Sequence, residues 1–175
     1  GNRSRPFALP DALAAAVRAL SRREEASEYM TVLAAFCALL NRHTGQEDLL
    51  VCSPFAARDR AEFEGLIGYL NTIVVMRADL AGNPGFRDIV RRVRATVMEA
   101  WQNQRVPLQQ IAGLPGLARV PLTRAMFSYQ DARTGALDLP GIRATPIEVR
   151  KDEPDFDLAL YLEATREGRI SGVLD

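Results

Sequence analysis

The chain has 175 residues, 47% of them hydrophobic, and its 22 basic side chains balance its 22 acidic ones. These numbers predict one globular domain over residues 1–175, with no overall charge that would favour nucleic acid or an anionic membrane as partner. No apolar run approaches the roughly 18 to 20 residues that span a bilayer, and the start, GNRSRPF, lacks the apolar core of a signal peptide, so we expect a cytoplasmic protein.

Cysteine and histidine are scarce. Cys37 lies in the run VLAAFCALL and Cys52 in LLVCSPF, and both contexts predict small buried hydrophobic residues rather than a disulfide framework. With one histidine and no cysteine cluster, we expect no metal site.

Two helices are predicted first. The segment LPDALAAAVRAL places its large apolar residues at helical spacing, with Asp11 near the positive end of the helix dipole. Ser27 can cap the next helix, EYMTVLAAFCALLNRH, which is apolar nearly all round and should be packed between other layers until Gly45 ends it.

Strands follow. DLLVCSPF indicates a short buried strand stopped by Pro54, because proline cannot continue a central ladder, and a charged loop comes after it. EGLIGYLNTIVVMR then predicts a loop that leads into a second buried strand, and the polar pair Asn71-Thr72 lies where that strand begins.

The clearest helix begins at Phe86 and extends to about Trp101, with apolar residues three and four positions apart. Its other face carries several arginines, which we interpret as a solvated surface because no aromatic residues are interleaved for base stacking. After NQRVPLQQIAGLPGL, four extended segments are predicted, with TREG as a hairpin turn between the last two: RAMFSYQD, LPGIRATPIEVR, DFDLALYLEAT and RISGVLD. The predicted fold class is α/β, with helices packed on a mixed β-sheet. The last strand stops at Asp175, so we expect the chain to be part of a longer one.

No catalytic centre can be assembled from motifs. His43 lies at a predicted helix end with no orienting carboxylate, and Ser53 lacks the G-x-S-x-G elbow of a nucleophile. Asp155 and Asp157 alternate around Phe156, but such a pair more often bounds a strand and forms salt bridges, here with Arg150 or Lys151.

A series of short phrases, taken in order, nevertheless resembles the C-terminal half of nonribosomal peptide synthetase condensation domains. In that family a helix ends in a Tyr/His-Thr/Ser-Gly-Gln-x-Asp phrase, a strand carries Gly-Ser-Pro followed by an arginine, a Gly-x-Phe-Val-Asn-Thr strand closes on an arginine, and a long helix ends near His/Asn-Gln-Asp-x-Pro-Phe-Glu. This chain departs from those phrases at Cys52 in place of the glycine before Ser-Pro, at Arg105 in place of the acid after Asn-Gln, and at Leu108 and Gln109 in place of Phe-Glu. Later strands resemble the family's phenylalanine-rich and Phe-Asp-Leu strands. The matching residues are Thr44, Gly45, Gln46, Asp48, Ser53, Pro54, Arg58, Gly68, Asn71, Thr72, Arg77, Asn103, Gln104, Pro107 and the Phe156-Asp157-Leu158 phrase.

The resemblance implies a chloramphenicol-acetyltransferase-like lobe, one of two that form a V around a tunnel. The family's catalytic His-His-x-x-x-Asp-Gly motif belongs to the N-terminal lobe, and it is absent here because His43 is the only histidine. The expectation is a C-terminal lobe that contains no catalytic residue and is inactive alone. With its N-terminal lobe it would join aminoacyl and peptidyl thioesters held on the phosphopantetheine arms of carrier proteins, with no cofactor bound directly.

Eight residues are carried over from the family's phrases. Ser53, Asn71 and Thr72 are the polar residues that we expect at the tunnel wall, and Arg58 and Arg77 are expected to fix loop and strand by charge-assisted bonds. The remaining structural positions are Gly68, Gln104 and Asp157. The Asn-Thr pair stands one residue farther from its closing arginine than is usual in the family, a shift that could move both side chains to the other face of the strand.

Two other functions remain open. The chain could be a noncatalytic condensation-like module that binds carrier proteins or a partner chain. It could also be an independent acyltransferase centred on His43, which predicts that acyl-thioester turnover vanishes in His43→Ala.

Overall fold

A computed structural model of the chain describes residues 4–56, 61–117, 119–131, 141–142, 156–165 and 167–175. Its helices are α1 (Asp11–Arg23), α2 (Glu28–Thr44), α3 (Ala61–Glu64), α4 (Phe86–Asn103) and α5 (Leu108–Ala112), and its strands are β1 (Arg5–Ala8), β2 (Asp48–Ala56), β3 (Asn71–Asp79), β4 (Ala125–Asp131), β5 (Leu158–Ala164) and β6 (Ile170–Leu174).

The six strands form one mixed sheet in the order β1-β6-β5-β4-β2-β3. β4 lies parallel to both β2 and β5, while the other neighbouring pairs are antiparallel. The predicted α/β class, with helices packed on a mixed sheet, is confirmed.

The main core lies between one face of the sheet and helices α1, α2 and α4. α2 begins as predicted, since the Ser27 hydroxyl accepts a hydrogen bond from the Met30 backbone N–H at 3.2 Å, and it ends at Gly45 with a left-handed φ of 71°. As predicted from its apolar residues, α2 is packed between other layers, since it contacts α1, α4 and the sheet. Phe36 and Phe127 stack in this core with ring centroids 6.0 Å apart.

The opposite face of the sheet carries a much smaller apolar cluster. Cys52, Met126 and Ala159 are buried there, with Ile73 and Val75 partly buried beside them. Cys37 lies in the main core instead, and both cysteines are buried and free, as predicted.

The prediction that Pro54 stops β2 is wrong, because the strand continues to Ala56. Pro54 is paired with Ile73, and the Leu80 N–H, which donates to the Glu47 carbonyl, shows that positions of this parity form non-hydrogen-bonded pairs, so the ladder with β3 needs no N–H from residue 54. On its other side β2 pairs with β4 at Cys52 and Met126, two residues before the proline. The prediction of a buried second strand also needs correction, since β3 is one of the two edge strands of the sheet and Asn71 is exposed.

Three elements were not predicted: β1, α3 and α5. The hairpin turn at TREG is confirmed by the antiparallel pairing of β5 with β6 and by the Thr165 N–H, which donates to the Arg169 carbonyl at 2.9 Å. The segment LPGIRATPIEVR lies outside the described residues except for 141–142.

α4 buries Ile89, Val90, Val93 and Val97. Phe86 and Trp101, at the two ends of the predicted apolar stripe, remain about half exposed. Its arginine face is not simply solvated. Arg87 and Arg91 both donate to the carboxylate of Glu24, which is only 8% exposed at the end of α1, so this face also holds two helices together.

Within the described ranges, no helix combines the length and apolarity needed to cross a bilayer. The same part of the chain contains no group of three or more His, Cys, Asp or Glu side chains placed to hold a metal ion.

Candidate functional site

A pocket of about 480 Å³ lies where β3 begins, between that strand and the segment that joins α4 to α5. It brings together three of the eight residues carried over from the family's phrases, Asn71, Thr72 and Gln104. The full lining is Tyr69, Asn71, Thr72, Ile73, Gln104, Arg105, Pro107, Leu108 and Gln109.

Asn71 and Thr72 point to opposite faces of the sheet. Thr72 is paired with Phe55, which belongs to the main core, so its side chain lies on the helix-covered face. Asn71 is paired with the exposed Ala56 and lies on the other face. Both residues still border the pocket, because it opens at the end of the strand, where the two faces meet.

Gln104 caps the C-terminus of α4 and forms part of the pocket wall. Its side chain is 6% exposed, and its Oε1 atom is buried without a hydrogen-bond partner in the part of the chain that the structure describes. Buried polar atoms are nearly always paired, so an orphaned carbonyl oxygen in a pocket wall requires an explanation.

Ser53 lies away from this pocket. It is fully buried on the helix-covered face, where its hydroxyl accepts from the Tyr29 hydroxyl at 2.7 Å and donates to the Phe127 carbonyl at 2.7 Å. Both hydrogen-bonding roles of the hydroxyl are therefore taken inside the core. Its assignment to a tunnel wall stays a prediction that no contact in this chain supports.

Sequence reasoning missed Tyr29 in this arrangement. Its position in the first turn of α2, seven residues before the buried Phe36, was a helical-face signal that could have placed it against the sheet. Burial raises the pKa of the Tyr29 phenol to about 12, so it stays protonated and remains a donor to Ser53 at neutral pH.

Arg77 and Asp157 border a second groove, of about 690 Å³, near the start of β2, β4 and β5. The Arg77 guanidinium forms a bidentate pair with Asp48, at 2.8 and 2.9 Å, and it holds the pKa of Asp48 below its ordinary value. Asp157 accepts a hydrogen bond from Arg124, a partner that the sequence did not suggest.

Four candidates remain, and the structure describes two of them. Gly68 lies in the loop before β3, whereas Arg58 and Asp155 fall outside the described residues. His43 lies in the last turn of α2, as expected. Of the described residues, neither Gly68 nor His43 lines the pocket.

The thiols supply no nucleophile. Burial raises the pKa of Cys37 to about 12 and that of Cys52 to about 11, so both stay protonated at neutral pH. The Cys52 thiol donates to the Leu122 carbonyl at 3.2 Å. What the pocket offers is binding through backbone, amide and hydroxyl groups.

Comparison with known proteins gives the family. The profile described as Condensation domain matches residues 2–173. A linear gramicidin synthase protein from Brevibacillus parabrevis is 36% identical over 170 residues, which cover 94% of this chain and 2% of that protein. The phosphinothricin tripeptide synthetase PhsB from Streptomyces viridochromogenes is 39% identical over 171 residues, 93% of this chain and 14% of that protein.

Solved structures agree. The X-domain from teicoplanin biosynthesis superposes with a TM-score of 0.81 at 26% identity, over 98% of this chain and 41% of that one. A four-domain nonribosomal peptide synthetase bound to AMP and glycine superposes with a TM-score of 0.81 at 18% identity, over 99% of this chain and 15% of that one. The chain therefore spans only a small part of the curated relatives and under half of the X-domain chain.

Proposed function

This chain belongs to the condensation-domain family, and on that premise we propose that it forms the C-terminal lobe of a condensation domain in a nonribosomal peptide synthetase. The proposal rests on how much of each chain superposes: 98% of this chain matches only 41% of the X-domain chain. That share is what one lobe of a two-lobed domain would occupy. The chain's only histidine, His43, lies at a helix end, so the His-His-x-x-x-Asp-Gly motif would come from an N-terminal lobe.

The proposed reaction is amide formation between two thioesters held on carrier-protein phosphopantetheine arms. The acceptor amine attacks the donor thioester carbonyl; a C–N bond forms, the C–S bond breaks, the donor arm leaves as a thiol, and the amine loses a proton. This lobe would contribute binding and orientation at the tunnel wall through Asn71, Thr72 and Gln104, which border one pocket. The base or positioning histidine would belong to the other lobe.

The loop before β3 supports a covering lobe. Ile67 is fully exposed, Tyr69 is 84% exposed and Leu66 is about half exposed, although all three are large hydrophobic residues in neighbouring positions. Apolar side chains grouped in this way usually mark an interaction surface. We assign the N-terminal lobe as the partner of this loop.

The test is reconstitution. The protein with its N-terminal lobe, supplied with two carrier proteins loaded with aminoacyl groups, should form a carrier-bound dipeptide detectable by mass spectrometry, and residues 1–175 alone should form none. Product from residues 1–175 alone would overturn the proposal, as would an unrelated domain in the native sequence upstream of Gly1.

A noncatalytic interaction module is the second candidate. It is favoured by the X-domain of teicoplanin biosynthesis, whose solved complex with OxyB superposes on this chain with a TM-score of 0.79 at 26% identity. Titrating carrier protein into residues 1–175 separates the candidates, because only the module requires saturable binding without the other lobe.

A further inference from the structure

The pocket at the start of β3 has walls that come from different elements. Thr72 belongs to β3, whereas Gln104 follows the last residue of α4. Because the two residues lie on separate elements, tertiary contacts alone set the distance between them. The width of the pocket therefore depends on how the end of α4 is held against the sheet.

Phe55 connects the Thr72 wall to the neighbouring elements. It is the partner of Thr72 in the register of β2 with β3. The Leu80 N–H donates to the Glu47 carbonyl, and pairs of this parity are the hydrogen-bonded pairs of the ladder. Phe55 and Thr72 have the same parity, so they exchange both backbone hydrogen bonds. The Phe55 ring also packs edge-on against Tyr29 of α2, with ring centroids 6.3 Å apart. A displacement of Phe55 would therefore move Thr72 with it.

Trp101 holds the end of α4 to the same strand position. Its ring centroid lies 6.2 Å from that of Phe55. The buried residues of α4 end at Val97, one turn earlier, and Trp101 is the only large apolar side chain among the last four residues of the helix. Gln104 follows within one further turn, since an α-helix has 3.6 residues per turn. One ring contact therefore connects the Gln104 wall to the Thr72 wall.

The exposure of Trp101 separates its contribution from that of the core. The residue is 48% exposed, lies outside the main core cluster and does not line the pocket. Its truncation removes the contact with Phe55 without opening a cavity in the core, and the four buried residues of α4 keep the helix on the sheet. The expected consequence is a local displacement of the helix end, while the rest of the chain stays folded.

We propose that Trp101 is a positioning residue of the condensation reaction: by packing the last turn of α4 against the end of β2, it sets the separation of Thr72 and Gln104 across the pocket. The inference rests on the proposed function, in which these two side chains orient the reactants at the tunnel wall. A misplacement of about 1 Å, even from a change away from the reacting atoms, can cost roughly a hundredfold in rate. Trp101 acts on the reaction through the two wall residues and touches no reactant itself.

Kinetics of the full-length protein, with its N-terminal lobe and two aminoacyl-loaded carrier proteins, test the inference. Trp101→Ala should lower kcat for dipeptide formation about 10- to 100-fold and leave the KM for each carrier protein within about twofold, because orientation rather than binding is lost. Trp101→Phe keeps an aromatic ring against Phe55 and should recover most of the rate. Every rate is measured well below the unfolding temperature of each variant, so a loss of stability alone leaves kcat unchanged.

Met98→Ala is the matched control. Met98 is 46% exposed, close to the value for Trp101, and lies almost one turn earlier on α4. Its truncation should leave kcat unchanged, because it leaves the contact between Trp101 and Phe55 in place. Parent kcat in Trp101→Ala, an equal loss in Met98→Ala or no recovery in Trp101→Phe would each overturn the proposal.

Hydrogen exchange reports on the pocket walls without any reaction. In Trp101→Ala, exchange should speed up about tenfold at the amides of Thr72 and Gln104, because the strand end and the helix end that they occupy are less firmly packed. Exchange should stay unchanged at Ala78, near the far end of β3. Unchanged exchange at both Thr72 and Gln104 would overturn the proposal.

The two measurements separate this inference from the proposed function. Faster exchange at Thr72 and Gln104 in a protein that forms no dipeptide would support Trp101 as the residue that fixes the pocket walls and count against the proposed function. Dipeptide formation at the parent rate by Trp101→Ala would leave the proposed function standing and overturn the inference.

Discussion

At the scale of single residues, Ser53 shows how a phrase shared with a family can serve the fold. Ser53 lies on β2, and its hydroxyl bonds both to Tyr29 of α2 and to the Phe127 carbonyl of β4. The residue has no solvent access. The Tyr29 ring also packs edge-on against Phe127, with centroids 5.2 Å apart. The Ser53 hydroxyl therefore links the Tyr29 hydroxyl to the Phe127 carbonyl within the apolar core, and each of these three polar groups has a hydrogen-bond partner.

We expect Ser53→Ala to lower the free energy of unfolding by about 1–3 kcal/mol, because it leaves the Tyr29 hydroxyl with only the weak Met76 sulfur as acceptor and removes the Ser53 donor from the Phe127 carbonyl. Chemical denaturation measures the loss. The matched variant Tyr29→Phe should cost only about 0.5–1.5 kcal/mol, since Ser53 keeps its bond to Phe127. Full stability in Ser53→Ala, with a loss only of synthetase activity, would instead support the tunnel-wall prediction.

At the scale of elements, Glu24 connects the end of α1 to α4. The hydrogen bond from Arg87, reinforced by Arg91, holds the pKa of Glu24 below its ordinary value although burial opposes ionisation. A carboxyl whose pKa is lowered by folding stabilises the fold above its ordinary pKa and loses that contribution as the pH falls through its lowered pKa.

The Glu24→Gln variant should therefore be less stable than the parent at neutral pH, and the difference should shrink as the pH falls below about 4.5. Thermal unfolding between pH 3 and pH 7 measures this. Glu25→Gln is the control, because the Glu25 carboxylate is largely exposed and lies 3.9 Å from its nearest arginine. A stability difference for Glu24→Gln that does not vary with pH would show that the ion pair contributes nothing.

The close approach of β5 and β6 depends on Gly172. A Cβ at this position would lie 2.5 Å from the Tyr161 carbonyl oxygen and 2.5 Å from Leu162 Cδ2. A backbone atom cannot give way as a flexible side chain can, so the strands would have to separate.

We expect Gly172→Ala to lower the free energy of unfolding by about 1–3 kcal/mol through this overpacking. Gly65→Ala, where nothing lies within 4 Å of the added methyl, should change it by less than about 0.5 kcal/mol. Equal stabilities of the two variants in urea denaturation would contradict the close packing described for the sheet.

At the scale of the whole molecule, the sheet is covered unequally. One face carries three helices and nearly all of the core, whereas the other carries a small apolar cluster around Cys52. The loop with Ile67 and Tyr69 adds exposed apolar surface at the strand end next to the pocket. A chain built in this way should associate through that loop when no partner lobe is present.

Residues 1–175 alone should therefore show light scattering that rises with concentration, and Ile67→Ser combined with Tyr69→Ser should suppress it. Leu13→Ser is the matched control, because Leu13 is a half-exposed hydrophobic residue on α1, away from the loop, and its loss should leave the association unchanged. A strictly monomeric parent, or equal suppression by the control, would contradict an interface at this loop.

Local signals in the sequence were enough for much of the fold. The α2 boundaries followed from a capping serine and a C-terminal glycine, and the α4 stripe followed from its spacing, because caps and amphipathic periods act over a few residues. β1 was missed since its four exposed residues have no alternating pattern and exist as a strand only through pairing with β6. Pro54 was misjudged because whether a strand tolerates proline depends on the ladder, which the local sequence does not contain.

The sequence by itself determined the family, the α/β class and the absence of the His-His-x-x-x-Asp-Gly motif, since these depend on residue identities and their order. Only the tertiary structure decided which of the carried-over residues lie together. It placed Asn71, Thr72 and Gln104 around one pocket and enclosed Ser53 in the core. The physical reason is register: strand pairing fixes which face and which edge each residue occupies, and pairing joins residues far apart in the chain.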